Sequence, residues 1–273
     1  MKRVQRRSLA PEWVAVAVGV ALVVAAFVLP RLNIGVTPLI NASPERFEAF
    51  AGAAPIFGWF EAHVGWGTVP AIVIGAAAVL WGQRIAGQLR WPAVLWLTWA
   101  TACAWAFSLA MVDGWQRGFA GRLTARHEYL RQVPTVTDIP EAVRSFASRI
   151  LDYQPDSWIT HVSGHPPGAL LTFVWLDRIG LGGGVWAALL CLLVGSSAAA
   201  AILVAVRALA SEDMARLAAP FVAVAPTAIW IAVSADGYFA GVAAWGIALL
   251  ALAVRRTARW PVLASAGAGL LLG

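Results

Sequence analysis

Apolar residues run almost unbroken over 13–29, 65–82, 91–112, 185–206, 216–234 and 237–254, a further run starts at 260, and a weaker one covers 166–182. A helix needs about 20 mainly apolar residues to cross the hydrocarbon of a bilayer. The six longer runs therefore predict spanning helices. The run from 260 ends before that length, which reads as a piece of a longer protein. The weak run holds Asp177 and Arg178 and ends in Gly-Leu-Gly-Gly-Gly at 180–184. It predicts an amphipathic helix lying on the interface rather than crossing. Between the runs lie two polar segments. Residues 31–64 carry Glu45, Arg46, Glu48 and Glu61, and residues 113–165 carry six Arg and six acidic residues. Loops of that length are usually functional or disordered. The second holds aromatics and short amphipathic pieces such as PEAVRSFASRILDY at 140–153, so an ordered segment packed on the membrane face is expected.

Basic residues in short loops set the orientation, since they stay on the cytoplasmic side. KRVQRR at 2–7, QRIAGQLR at 83–90, VRALASEDMAR at 206–216 and RRTAR at 255–259 all fall inside, provided that 166–182 does not cross. Then 113–165 and the turn at 234–237 lie outside. The expected class is all-α: a polytopic membrane helix bundle with a long extracytoplasmic loop and a juxtamembrane helix. Three parts follow: helices and a first external loop over 1–112, the loop and its helix over 113–184, and further helices over 185–273.

Composition agrees. Of 273 residues 60% are hydrophobic and 12% charged, mean hydropathy is +0.73, and there are 15 Trp. Soluble domains are nearer half apolar and a quarter charged, so a soluble enzyme is excluded and a lipid bilayer is the first partner. The net charge of +6 comes from 20 basic residues, 19 of them Arg. They sit at helix ends and in loops, with no separate basic domain, so nucleic acid is not a partner. The basic N-terminus followed by an apolar run resembles a signal peptide, but Pro30-Arg31 follows with no small-residue cleavage site. An uncleaved first helix with a cytoplasmic N-terminus in the cell membrane is expected. Cys103 and Cys191 lie inside apolar runs without metal-ligand spacing and read as packing residues.

The candidate chemistry lies on the outer side. HVSGHPPGAL at 161–170 opens the weak run. Proline is tolerated in the first turn of a helix, where its missing N–H has no partner anyway, and it pushes the residue before it into extended geometry. Gly164, Pro166, Pro167 and Gly168 thus form a stiff loop turning the chain onto the membrane. Asp113 follows the third run and Asp236 precedes the sixth, both at membrane-surface depth, where acidic residues are costly and are functional candidates; each can equally cap the following helix. His161 and His165 are four apart, but Gly164 and Pro166 interrupt any helix between them. His127-Glu128 lacks the second His of a zinc helix. Arg117, Arg122, Arg126 and Arg131 fall near helical spacing, either as phosphate ligands or as a solvated face paired with Glu128. Tyr129, Trp158 and Trp175 suit interfacial anchoring or stacking on a sugar. No phosphate-binding loop, dinucleotide fingerprint or nucleophile elbow occurs.

The order of these parts over 113–254 resembles the GT-C superfamily of membrane glycosyltransferases, the group of the protein O-mannosyltransferases and the lipid A aminoarabinose transferase, and in particular actinobacterial integral membrane proteins of that type. HVSGHPPGALLTFVWLDRIGLGG and APFVAVAPTAIWIAVSADGYFAG carry the resemblance. It implies a polyprenyl-phosphate-linked sugar as donor and an envelope acceptor on the extracytoplasmic side. Asp113 matches the family's first-loop acid, a base or metal ligand, with Glu128 as the alternative, and Asp236 matches the acid of the second loop. His165, Pro166 and Pro167 match the loop element beside the site, where His161, His165, Arg117, Arg126 and Tyr129 would contact substrate. A carboxylate can take the acceptor's proton, and Arg or a divalent cation can stabilise the departing phosphate. The sequence fixes no cofactor and no metal ligand: Asp113 is followed by Gly114 where the family carries a second acid. Two helices precede the family's usual first one. The other class is a non-catalytic integral membrane protein, a transporter subunit or a scaffold for envelope assembly. Transport would call for charges within spanning helices or for broken helices, and neither stands out.

Overall fold

The computed structural model describes residues 10–32, 63–151 and 154–272. The acidic and basic residues expected in the first loop, Glu45, Arg46, Glu48 and Glu61, and the basic residues at 2–7 lie outside these. Two compact units divide the chain at His63. In the first, α1 (Ala10–Val28) is followed by a 3-10 turn at Leu29–Leu32. The second is all-helical among its described residues. Four helices there are long and apolar enough to cross a membrane: α2 (Thr68–Gln88), α3 (Trp91–Ala110), α7 (Gly184–Leu209) and α10 (Ala235–Val254). The protein is therefore a membrane protein. The apolar stretches of α1, Trp13–Ala25, and of the last helix α11 (Pro261–Leu272) are shorter.

Sequence explains how these four helices pack. Lipid gives no hydrophobic drive for helix association, so close approach and interhelical hydrogen bonds must hold the bundle. Their buried positions are mostly small: Ala71, Ala78, Ala102, Ala106, Ala187, Ala188, Ala199, Ala201, Gly241, Ala248, while Val69, Ile72, Val79, Trp81 and Trp96 point outward. Gly195 meets Gly237, and a Cβ on Gly241 would run into the Val194 carbonyl, so α7 and α10 touch backbone to backbone. Three indoles donate across helices: Trp99 Nε1 to Leu193 O at 2.9 Å, Trp105 Nε1 to Ala225 O at 3.2 Å and Trp245 Nε1 to Ser197 Oγ at 2.9 Å.

The short loop at Leu89-Arg90 makes α2 and α3 antiparallel. At the other end of α3 the chain enters 113–183, which packs against the start of α7. Arg216 donates to the carbonyls of Ala86 and, at 2.9 Å, Leu89, which joins 83–90 to 206–216 at one end of the bundle. The weak run forms α6 (Pro167–Arg178), twelve residues and about 18 Å long. It does not cross. Pro167 is its first residue and Pro166 stands before it with φ −60° and ψ 155°. Gly180 ends it at φ +83°, and Gly183 starts α7 at φ +91°, two positions where a side chain would be strained.

Three expectations need correction. The run 216–234 is not one helix. It splits into α8 (Glu212–Ala223) and a single turn α9 (Ala228–Ile231), because Pro226 lacks an N–H and excludes helical geometry at Ala225. The described residues of 113–165 fold into pieces shorter than the arginine spacing suggested: a π-turn at Trp115–Ala120, 3-10 turns at Arg122–Thr124, Tyr129–Arg131 and Val133–Thr135, α4 (Ile139–Arg144) and α5 (Thr160–Ser163). Arg117, Arg122, Arg126 and Arg131 therefore share no helix face. Tyr129 and Trp158 are buried, not interfacial. Trp158 lies under the Arg149 guanidinium at 3.4 Å and donates Nε1–H to Phe146 O. Trp175 alone of the three is exposed.

Candidate functional site

Phe119, Leu123, Tyr129, Val133, Phe146, Trp158, Val162, Leu170, Phe173 and Val174 pack with Ala187, Cys191 and Ala235 in one apolar cluster. The segment is thus fastened to the starts of α7 and α10, where the polar candidates meet. Gln132, which the sequence did not single out, is buried. Its Oε1 accepts from Ile159 N at 3.2 Å and its Nε2 donates to Thr135 Oγ1 at 2.8 Å. The N–H of His161 donates to His127 O at 3.4 Å. These bonds set the turn carrying Glu128 and Tyr129 beside the turn carrying His161 and His165.

Tyr129 is the centre. Its ring lies 5.3 Å from Phe173, 6.1 Å from His165, 6.3 Å from Phe239 and 6.5 Å from His161. It is 1% exposed, so it does not stack on a substrate as the sequence reading allowed. Its role is to hold His165: the phenol oxygen is 2.7 Å from His165 Nδ1. Burial, with Asp236 and Glu128 nearby, pushes the phenol up from its ordinary value, so it stays neutral. The same Nδ1 lies 2.9 Å from His161 O. A carbonyl only accepts, so that bond requires the proton on Nδ1; in the other tautomer Tyr129 donates to Nδ1 instead. Phe239 packs on the ring at 4.9 Å. Nε2 is left facing Asp236 Oδ1 at 3.9 Å.

Asp236 is on the first turn of α10, but it is not the cap. Ser234 Oγ takes the N–H of Gly237 at 3.1 Å, so the carboxylate does not serve as the cap and is 72% exposed beside His165. Glu128, expected to pair with arginines, pairs with His161: Oε2 to Nδ1 is 3.2 Å, with the carboxylate only 12% exposed and His161 46%. Five candidates from three separate segments, Glu128, Tyr129, His161, His165 and Asp236, are therefore brought together. Asp113 ion-pairs with Arg117 at 3.6 Å, a local contact on one turn of chain, and Arg126 is exposed. Gly164 has an ordinary φ of −82° and Gly168 has open space around it, so neither glycine is demanded by the backbone, unlike the two prolines.

His165, Pro166, Thr172, Asp236, Tyr238 and Phe239 line an open cavity of about 620 Å³ together with the apolar Val242, Ala243, Leu271 and Leu272. Thr172 Oγ1 and Tyr238 OH are 3.3 Å apart across it. Sequence reasoning missed both, although Tyr238 follows Asp236 within one turn. The arrangement brings hydroxyls, an imidazole and a carboxylate together with apolar side chains of α10 and α11. Among the described residues, no three His, Cys, Asp or Glu converge as a metal site. Compared with known proteins, the chain matches no family model, and no curated protein or solved structure is significantly similar to it.

Proposed function

We propose that the chain is a glycosyltransferase of the GT-C type in the cell membrane. It would move a sugar from a polyprenyl-phosphate donor to an acceptor of the cell envelope, on the side carrying 113–183, with the N-terminus cytoplasmic. One observation carries the reading: the cavity beside His165 and Asp236 is lined both by polar groups and by apolar residues of α10 and α11, a mixed lining that suits an amphiphile with a polar head and a lipid tail. The imidazole and carboxylate that line it suit hydrogen bonds that orient a donor's polar head. The hydroxyls of Thr172 and Tyr238 suit the charge that develops on a departing phosphate. A divalent cation would supply the same stabilisation. The test is the pool of lipid-linked sugars and envelope glycans in cells carrying wild type, Asp236→Asn or His165→Ala at matched protein levels. Accumulation of a polyprenyl-phosphate sugar with loss of one glycan linkage is expected. A wild-type profile in both variants, with an altered profile on deletion, removes the catalytic reading.

A second reading, a transporter subunit, draws on the broken helix. The interruption between α8 and α9 sits beside an internal cavity of about 280 Å³ lined by Trp105, Ser196, Ala225 and Thr227, and broken helices mark substrate paths in transporters. No charged residue lines it, which favours the first reading. Flux of a solute into vesicles holding the purified chain would reverse that preference.

A further inference from the structure

Glu128 and His161 were candidates as separate residues, one an acid and one a substrate contact. Their geometry assigns them a joint role. An ionised carboxylate offers only acceptors. With Glu128 Oε2 at 3.2 Å from His161 Nδ1, the proton of a neutral imidazole belongs on Nδ1, and Nε2 carries the lone pair. The carboxylate is nearly buried while the imidazole is half exposed, so the acid is screened from solvent and the ring can be reached from it. A carboxylate this buried needs a donor, and a histidine so held keeps one tautomer and one orientation. The carbonyl of the same residue receives His165 Nδ1 at 2.9 Å, which ties the pair to the imidazole at the cavity.

We infer that Glu128 and His161 form a carboxylate–imidazole dyad in which His161 Nε2 is the base and Glu128 the positioning residue; the inference rests on the transferase reading above. The acceptor hydroxyl gives its proton to Nε2 as its oxygen bonds to the anomeric carbon of the sugar. The bond from that carbon to the phosphate oxygen breaks, and the electron pair leaves with the polyprenyl phosphate. Glu128 stabilises the imidazolium so formed, the role the third member plays in nucleophile–base–carboxylate sets. Asp236 and His165 remain at the cavity, where the donor's head would sit.

The test uses the full chain reconstituted in phosphatidylglycerol vesicles and modified with diethyl pyrocarbonate, which reacts with an unprotonated imidazole nitrogen. Peptide mapping gives a rate for each histidine. In Glu128→Gln the amide can donate to Nδ1 and shift the proton to Nε2. The His161 rate is expected to fall about tenfold, the scale of losing an orienting partner, with His127 within about twofold as a control on folding. An unchanged His161 rate overturns the dyad. Should Glu128→Gln not fold, the ¹⁵N-histidine spectrum of wild type decides: a lone pair on Nε2 of His161 supports the dyad, and a proton there overturns it. A second arm adds undecaprenyl phosphate to the vesicles. Protection of His161 and His165 supports the donor reading. A tenfold effect of Glu128→Gln without any protection keeps the dyad and removes the donor, while protection without that effect does the reverse.

Discussion

At the C-terminal end of α7, Glu212 is met by Arg207 at 2.7 Å and by Arg216 at 2.5 Å, and Arg216 goes on to the last carbonyls of α2. Trp91 lies beneath both guanidiniums, at 4.5 and 5.8 Å. At the N-terminal end, His165 stops 3.9 Å short of a carboxylate that is 72% exposed. Both ends hold an acid and its basic neighbours on helix termini. One closes into a network that joins α2, α3, α7 and α8; the other leaves Asp236 largely exposed with His165 facing it and His161 half exposed. A closed network serves rigidity. An open one that is nonetheless positioned by buried Tyr129 and Gln132 is how a reacting site is held on a rigid frame.

The largest expected effect separates the two ends by function. Asp236→Asn should cut glycan transfer by about 10²-fold, the scale of lost substrate positioning. Thermal unfolding in detergent should shift by less than about 0.5 kcal/mol, as for an exposed side chain without a structural bond. A large stability loss there would make the two ends alike.

Arg216→Leu should do the opposite. It strips charge-assisted bonds from helix-end carbonyls and from Glu212, and a loss of about 3 kcal/mol follows from hydrogen bonds of that kind. Transfer per folded molecule should stay within about twofold. Loss of transfer at full stability would show that this end also takes part in the reaction.

Acid and base sharpen the contrast. The hydrogen bond from Arg216, helped by the charges of Arg207 and Arg216, holds the Glu212 carboxyl below its ordinary 4.5. Its contribution is present above that value and fades as pH falls through the lower folded one. Burial raises Tyr129 above 10, so its contribution is present below pH 10 and fades as pH rises beyond it. Melting curves across pH should show a shallower acid limb in Glu212→Gln and a shallower alkaline limb in Tyr129→Phe, the latter by about 2–4 °C for each kcal/mol involved. If both variants change the same limb, the two ends are not independent.

The bundle was legible because apolar runs and basic loops obey simple rules in lipid. Residues 83–90 and 206–216 were placed together from charge alone, and Arg216 joins them. The broken helix was not, since Ala225-Pro226 sits inside an apolar run and hydropathy does not register a missing N–H. In the site, Asp236 and the two histidines could be picked out as costly residues near a membrane surface. Tyr129 was picked out for the wrong reason: an aromatic in a polar loop looks interfacial, and only the fold shows Phe173 and Phe239 closing over it. Glu128 meeting His161 depends on a contact between residues 33 apart in sequence, which no spacing rule reaches.

The smallest effect concerns Gly164. In the sequence it looked like part of the stiff loop. Yet its φ of −82° suits any residue, and an added Cβ would meet Thr160 O at 3.5 Å, an ordinary contact. Gly164→Ala should therefore leave unfolding within about 0.5 kcal/mol of wild type. If transfer is equally unaffected, the glycine is incidental and the two prolines alone shape the turn. If transfer falls several-fold while stability holds, the missing side chain matters to what approaches His161 and His165 from outside. The same methyl at Gly241, pressed against the Val194 carbonyl, should instead cost about 1–3 kcal/mol by overpacking. A glycine between spanning helices answers to packing. One at the open end, where the backbone does not need it, is left to answer to the ligand.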